Sequence, residues 1–136
     1  MQAQLFTLDE ANRLLPLVRV IATDAGASYR ATKKAIRALQ QLKAQPAAKT
    51  ADVARLERRI ETHLEELRRL VAEIDDLGCR LRDYERGAVD FPAAVLDTQG
   101  LFVVYCWAVG ERRVTHWHSD EEGYESRRLV GAEAPA

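Results

Sequence analysis

The stretch that decides the fold is Val53-Ala-Arg-Leu-Glu-Arg-Arg-Ile-Glu-Thr-His-Leu-Glu-Glu-Leu-Arg-Arg-Leu-Val-Ala-Glu-Ile-Asp-Asp-Leu77. Read in steps of three and four residues, it gives one stripe in which every residue except a histidine is a branched aliphatic. The stripe is Val53, Leu56, Ile60, His63, Leu67, Leu70, Ile74 and Leu77. This spacing predicts a long amphipathic helix. A helix of this length cannot bury its stripe alone, so it needs a partner helix.

The partner helix is predicted upstream. Thr7 and Glu10 have the spacing of a capping box, and apolar residues at helical spacing continue from there to Leu39. Pro46 then interrupts the pattern, and the connection before the second helix is short. Short connections make consecutive helices antiparallel neighbours. A helical hairpin is therefore expected over residues 7–77.

After Gly78 the apolar pattern changes from helical to alternating spacing. Residues 88–95, 101–109 and 113–118 are candidate strands, and Pro92 is expected at a sheet edge or a strand end. The predicted fold class is α+β: a long antiparallel helical hairpin followed by a small antiparallel sheet of about three strands. A single domain is expected over residues 1–130, with the β appendage at 79–130 and a frayed tail at 131–136.

Composition excludes several classes of function. The chain of 136 residues has a formal net charge of −1, which argues against nucleic acid as a partner. No apolar run approaches the ~20 residues that span a bilayer, and the first residues lack the features of a signal peptide. Cys79 and Cys106 form no paired motif, so both are expected as reduced thiols in the cytoplasm.

The central candidate strand, residues 101–109, is apolar on both faces. One face can pack on the helices, whereas the other would be bare in a monomer of this size. We expect a second copy of the chain, or a partner, to cover it, and a homodimer is the oligomer predicted.

His116 and His118 are the sharpest candidates for chemistry. The period of two on a strand puts both imidazoles on one face. A carboxylate from Asp120, Glu121 or Glu122 would complete a divalent-metal site, and the set His116, His118 and Glu121 is the predicted one. The alternative is two partly exposed histidines with ordinary hydrogen bonds, in which case no cofactor is bound.

Other polar and aromatic residues of the last third offer a second kind of site. His118 with Asp83, Glu85 or Asp90 would form an acid/base set, although structural pairing of these carboxylates with arginines is the commoner arrangement. Trp107, Trp117 and Tyr124 would line a pocket or anchor the core or an interface. The ligand-binding candidates are Asp83, Glu85, Asp90, Trp107, Trp117, His118, Glu121 and Arg127. The chain has no phosphate loop, and no catalytic residue is assigned.

Four stretches together are similar to one family. They are Phe6-Thr-Leu-Asp-Glu-Ala-Asn-Arg-Leu-Leu-Pro16, Asp83-Tyr-Glu-Arg-Gly-Ala-Val-Asp-Phe-Pro92, Tyr105-Cys-Trp107 with Gly110-Glu111, and Trp117-His118 with Gly123-Tyr124 and Arg127. Over nearly the whole chain this pattern resembles the domain-of-unknown-function 2203 family of small prokaryotic proteins. The resemblance implies a compact helical hairpin with a β appendage and no established activity. Some members carry a "division initiation" label.

The chain departs from the family pattern near the predicted site. Ser119 and Glu121 stand where the family has Glu and Asp, and the family does not generally have His at position 116. These departures shift a shared site towards His118, Glu121 and the loop at residues 83–90.

Three functions follow as hypotheses. The first is a homo-oligomeric interaction or ligand-binding module without catalysis, which the seam, the bare strand face and the missing catalytic motif favour. The second is a small metal-dependent or acid/base enzyme that uses His118 with nearby carboxylates. The third, which rests on the family label, is an accessory factor linked to cell division.

Overall fold

The computed structural model describes residues 4–131, which form two helices followed by five strands. The helices are α1 (Leu8–Lys43) and α2 (Thr50–Asp76). The strands are β1 (Arg80–Asp83), β2 (Ala88–Leu96), β3 (Phe102–Ala108), β4 (His116–Ser119) and β5 (Arg128–Leu129), with a 3-10 helix at Tyr124–Ser126. The predicted α+β class is confirmed. Within the described residues, no helix combines the length and apolar character needed to span a membrane.

The hairpin forms as its local sequence predicts. The Thr7 backbone N–H donates to Glu10 Oε1 at 2.8 Å, and the Glu10 N–H donates to Thr7 Oγ1 at 3.1 Å, which completes the capping box. On α2 the stripe residues Leu67, Leu70 and Ile74 are buried. Burial of this part of the stripe fixes the hairpin against the rest of the molecule.

The sheet is antiparallel throughout, with the strand order β1-β2-β3-β4-β5. It has five strands, so the expectation of about three is wrong. The two outer strands are four and two residues long, which is too short for an alternating pattern to be read in the sequence. The returning strand also begins later than residue 113, because β4 covers His116–Ser119 only.

Pro92 lies in β2, which is an inner strand of this sheet. Pairing with β1 ends at Asp90, so Pro92 lies beyond it and needs no N–H for that neighbour. The free side of β2 is instead met by Phe6: its N–H donates to the Pro92 carbonyl at 2.7 Å, and its carbonyl accepts from Ala94 at 3.0 Å. The N-terminal segment therefore protects an otherwise open edge.

One face of the sheet packs on the hairpin. The shared core includes Phe91, Tyr105 and Trp107 from the strands, with Leu15 and Ile74 from the helices. Its buried members on α1 and α2 are Ala11, Leu15, Val18, Ile21, Ala22, Ala25, Leu67, Leu70 and Ile74. The sheet thus contacts only the part of the hairpin that is nearest its open end.

The second face of the sheet is covered around its centre, so the expectation of a bare face is wrong there. Asp90, Cys106 and His118 lie on it and are at most 2% exposed. Tyr124, from the 3-10 helix, packs on Ala88 and Cys106. Residues that follow β4 cover the central part of this face within one chain, whereas Phe102, at the end of the same face, is 73% exposed.

The described residues end at Gly131, so the tail predicted for 131–136 falls outside them from residue 132 onward. The division of the chain into one domain at 1–130 stays a prediction.

Candidate functional site

The covered face of the sheet brings together residues from three strands. In the register, Asp90 on β2 lies opposite Cys106 on β3, and Val104 lies opposite His118 on β4. Because side chains alternate across a strand, Asp90, Cys106 and His118 point to the same side. The predicted proximity of His118 and Asp90 is therefore present in the structure.

Both ring nitrogens of His118 face oxygen atoms. Nδ1 lies 2.7 Å from the Ser119 carbonyl oxygen, which can only accept, so Nδ1 carries a proton and donates. Nε2 lies 3.1 Å from Oδ1 of Asp90. With Asp90 ionised, Nε2 must also donate, and the imidazole is then an imidazolium. Burial opposes this charge, but hydrogen bonds to Asp90 and to the Ser119 carbonyl outweigh it and raise the pKa of His118 above its ordinary value.

Asp90 is held between two cations. Its other oxygen, Oδ2, accepts a hydrogen bond from Nε of Arg82 at 2.7 Å. Arg82 in turn donates from Nη2 to the Asp120 carbonyl at 3.0 Å, which ties β1 to the turn after β4. The side chain of Asp90 is only 3% exposed, so both partners are needed to offset its loss of hydration.

Cys106 adds a thiol to this cluster but no nucleophile. Burial, followed by the negative charge of Asp90, raises the pKa of its thiol to about 12. Burial likewise raises the pKa of Cys79 to about 12. Because the thiolate is the reactive form, both free thiols are inert at neutral pH.

Three potential metal ligands converge among the residues that the structure describes. The donor atoms of Asp90, Cys106 and His118 all lie within 4.8 Å of one another. Carboxylate, thiolate and imidazole are ligand types that suit zinc. The carboxylate oxygens of Asp90 and Nε2 of His118, however, already take part in hydrogen bonds. A metal ion would have to replace a proton on His118 Nε2 and another on Cys106 Sγ.

The predicted metal set of His116, His118 and Glu121 is not the set that converges. Nδ1 of His116 lies 3.0 Å from the Thr115 hydroxyl, while Glu121 is exposed. The two imidazoles share a sheet face, as their spacing predicts, but only His118 reaches Asp90.

The remaining carboxylate candidates make separate ion pairs. Asp83 accepts from Nη1 of Arg86 at 2.7 Å, and Glu85 pairs with Lys33 on α1. Neither residue is hydrogen-bonded to His118 in the structure. Of the carboxylates considered with His118, Asp90 alone is hydrogen-bonded to it.

The side chains of Trp107 and Arg127 both form hydrogen bonds to Glu111, in the turn after β3. The Trp107 indole donates to the Glu111 carbonyl at 2.9 Å, and the Glu111 carboxylate accepts from the Ala108 N–H at 2.8 Å and from Nη1 of Arg127 at 2.9 Å. The guanidinium of Arg127 also lies 4.0 Å from the Tyr124 ring centroid. These contacts hold the covering segment on the sheet.

Trp117 is a core residue on the helix-facing side, at 3% exposure. The guanidinium of Arg128 lies 4.8 Å from its ring centroid, and Arg128 is held by two hydrogen bonds to Glu122. Trp117 therefore packs β4 against the core, beside its neighbouring strand β5.

Cys106 belongs to the buried cluster and the half-buried Arg82 borders it, although no sequence motif points to either residue. Their roles depend on the register of β1, β2 and β3, and no local spacing encodes that register. Alternation along β1 was the only available signal, since it puts Leu81 on one face and Arg82 on the other.

A cleft of about 380 Å³ lies between α1 and the sheet, beside Tyr124. We refer to it as the Tyr124 cleft, and its lining includes Ala22, Gly26, Arg30, Glu85, Arg86, Gly87, Ala108 and Tyr124. The guanidinium of Arg86 lies 4.5 Å from the Tyr124 ring centroid and forms part of the wall.

Together these features define a class of protein: a helical hairpin on a five-stranded antiparallel sheet whose covered face holds a closed polar cluster. The chain belongs to the family described as "Uncharacterized conserved protein (DUF2203)", whose model matches residues 4–130. No curated protein and no solved structure matches the sequence significantly.

Proposed function

We propose that this protein is a non-catalytic interaction module that forms a homodimer through the distal hairpin, defined here as residues 34–66. The observation that carries this proposal is a change of burial along the stripe of α2. Val53, Leu56 and Ile60 are only half-buried, whereas Leu67 and Leu70 are buried. A two-helix hairpin covers each stripe from one side, so a second hairpin would complete a four-helix bundle.

The extent of the shared core supports this interpretation. On α1 its last buried member is Ala25, and on α2 its first is Leu67. The distal hairpin extends past these residues. Ile36, an aliphatic residue on the distal part of α1, is 38% exposed. Contact with a second copy would remove this apolar surface from water.

Charge also favours a second copy as the occupant. Residues 34–43 carry three basic and no acidic side chains, and residues 50–66 carry five acidic and three basic ones. A dimer that places α1 of one copy beside α2 of the other brings opposite charges together. Within the described chain, Lys43 and Glu57 already make one such pair at 3.9 Å.

Two observations support the non-catalytic part of the proposal. His118 is 0% exposed and both of its ring nitrogens are occupied, so it offers no acid or base to a bound substrate. Cys79 and Cys106 are buried free thiols. Free thiols are also what a cytoplasmic location would maintain, and we infer that location.

Sedimentation velocity of the wild type and two variants tests the dimer. Ile36→Glu puts a charge into the proposed interface, while Val20→Glu makes the same change at an α1 residue that is 59% exposed. The two positions are about 24 Å apart along the helix. We expect dimers for the wild type and for Val20→Glu, and monomers for Ile36→Glu at equal helicity. A monomeric wild type at about 100 μM, a concentration at which an 8 kcal/mol association is nearly complete, contradicts the proposal.

A metal-dependent function is the second candidate, because Asp90, Cys106 and His118 offer three converging donors. Elemental analysis of protein purified without an affinity tag separates the candidates. One equivalent of zinc in the wild type and none in Cys106→Ala would support a metalloprotein. Substoichiometric metal in both is the result that we expect. The link to cell division stays a prediction, which a pull-down from the native host would test.

A further inference from the structure

The Tyr124 cleft has the size of a small-molecule site. Its volume of about 380 Å³ falls within the range of ≈ 300–1,000 Å³ that ligand pockets occupy. The space exists because the residues along its floor are small. Gly26 is on α1, Gly87 is in the turn before β2, and Ala108 ends β3.

The floor is closely packed at the Gly87 turn. Gly87 has φ +63°, and a Cβ atom at this position would lie 2.5 Å from Cγ2 of Val109. Gly87 is therefore packed directly against the end of β3, and its carbonyl accepts from the Val109 N–H at 3.3 Å. A pocket with a fixed floor loses little conformational freedom when a ligand binds.

Most charges of the wall are already offset. Arg86 pairs with Asp83 at 2.7 Å and with Glu125 at 3.5 Å, and Glu85 pairs with Lys33. These pairs hold the wall in place but leave little net charge. They also keep the Arg86 guanidinium stacked beside Tyr124.

Arg30 is the exception. It lies on α1 at the cleft, and its Nη1 would be 3.2 Å from a Cβ on Gly26, so the guanidinium lies over that glycine. None of the salt bridges or side-chain hydrogen bonds found among residues 4–131 involves it. Asp24 is the last acidic residue on α1, and residues 25–43 carry five basic and no acidic side chains. The part of the helix that follows Asp24 therefore offers no negative charge to Arg30. The cleft therefore has an excess of positive charge at one edge.

We propose that the Tyr124 cleft binds a small ligand that carries a carboxylate or phosphate group, and that Arg30 binds this oxyanion. The planar guanidinium matches both groups by paired N–H donors. The floor of Gly26, Gly87 and Ala108 contacts the rest of the ligand, and the volume of about 380 Å³ limits the size of that ligand. The cleft lies apart from most of the distal hairpin, so its test can fail without affecting the dimer.

Amide chemical shifts of the whole protein test this site. In ¹H–¹⁵N spectra, inorganic phosphate and succinate are titrated separately, and we expect saturable shifts of the Gly26, Gly87 and Ala108 amides with at least one of them. Arg30→Gln should weaken that affinity about tenfold, as expected for one charge-assisted contact. Arg13→Gln is the matched control, because this exposed arginine lies on the same helix, about 26 Å from Arg30 and outside the distal hairpin.

The pattern of results decides the matter. A response to phosphate alone or to succinate alone supports the site and identifies the oxyanion. Absence of shifts at the three amides with both anions overturns the proposal. Equal weakening by Arg30→Gln and Arg13→Gln also overturns it, because it would indicate diffuse attraction to positive charge rather than a built site.

Discussion

The Asp90–His118 pair is a buried charge pair whose protonation should be visible in stability. The pKa of His118 is raised in the folded state: burial opposes its charge, but hydrogen bonds to Asp90 and to the Ser119 carbonyl outweigh burial. The folded state therefore binds the proton more tightly than the unfolded state, so this contribution is complete below the ordinary pKa of histidine, about 6.5. It is lost as pH rises through the raised value.

We predict that His118→Gln loses more unfolding free energy, relative to wild type, at low pH than at high pH. Urea unfolding of both proteins between about pH 5.5 and 9 measures this difference. Subtraction is needed because burial lowers the pKa of His116, which changes stability in the opposite direction. A difference that stays constant with pH would show that His118 is neutral in the folded protein.

Removing the charge of Asp90 should be costly. Asp90→Asn leaves Arg82 without its buried carboxylate, and breaking such a pair costs about 3–5 kcal/mol. Asp120→Asn is the control, because Asp120 is 60% exposed and its carboxylate lies 3.8 Å from the same arginine. We expect a change of about 0.5 kcal/mol or less for the control. Equal effects in urea unfolding would refute a special role for Asp90.

At the scale of the elements, the turn at Gly87 packs against the end of β3 and lies close to α1. We predict that Gly87→Ala destabilises the protein by about 2–4 kcal/mol, since a Cβ here combines a left-handed backbone with a clash against Val109. Gly100→Ala isolates the backbone part, because its φ is +81° and no atom lies within 4 Å of the added Cβ. That control should cost about 1 kcal/mol. Thermal unfolding that gives the same loss for both would exclude the clash.

The elements differ in how well their sequences predicted them. The helices were predictable because an apolar period of three to four residues, repeated over helices of 36 and 27 residues, fits neither a strand nor a loop. Strand β5 has two residues, so it has no period to detect. The cover over the second sheet face was missed because Tyr124 and Arg127 act through ring and ion-pair contacts in irregular backbone.

The candidate site was predictable only in part, for the same physical reason. His118 and Asp90 were both selected as ionisable residues near strands, and the structure brings them together. Their contact with Arg82 and the position of Cys106 depend on strand register. Register is set by loop lengths and by the buried face of the whole sheet, so no local sequence motif predicts it.

For the whole molecule, the unequal burial of the hairpin is the feature that matters most. Its base is enclosed by a core shared with the sheet, while its distal stripe has cover from one helix only. Helices with half-covered stripes gain stability by association, since most helical stability comes from the packing of an apolar face. The proposed homodimer rests on this hairpin rather than on the sheet.

Hydrogen exchange at several protein concentrations tests that claim most directly. Amides of α2 are compared in two groups, residues 53–64 in the distal hairpin and residues 67–76 at its base. If a second copy covers the distal stripe, exchange of residues 53–64 slows as concentration rises, while exchange at 67–76 stays the same. Exchange of residues 53–64 that does not depend on concentration would contradict the dimer.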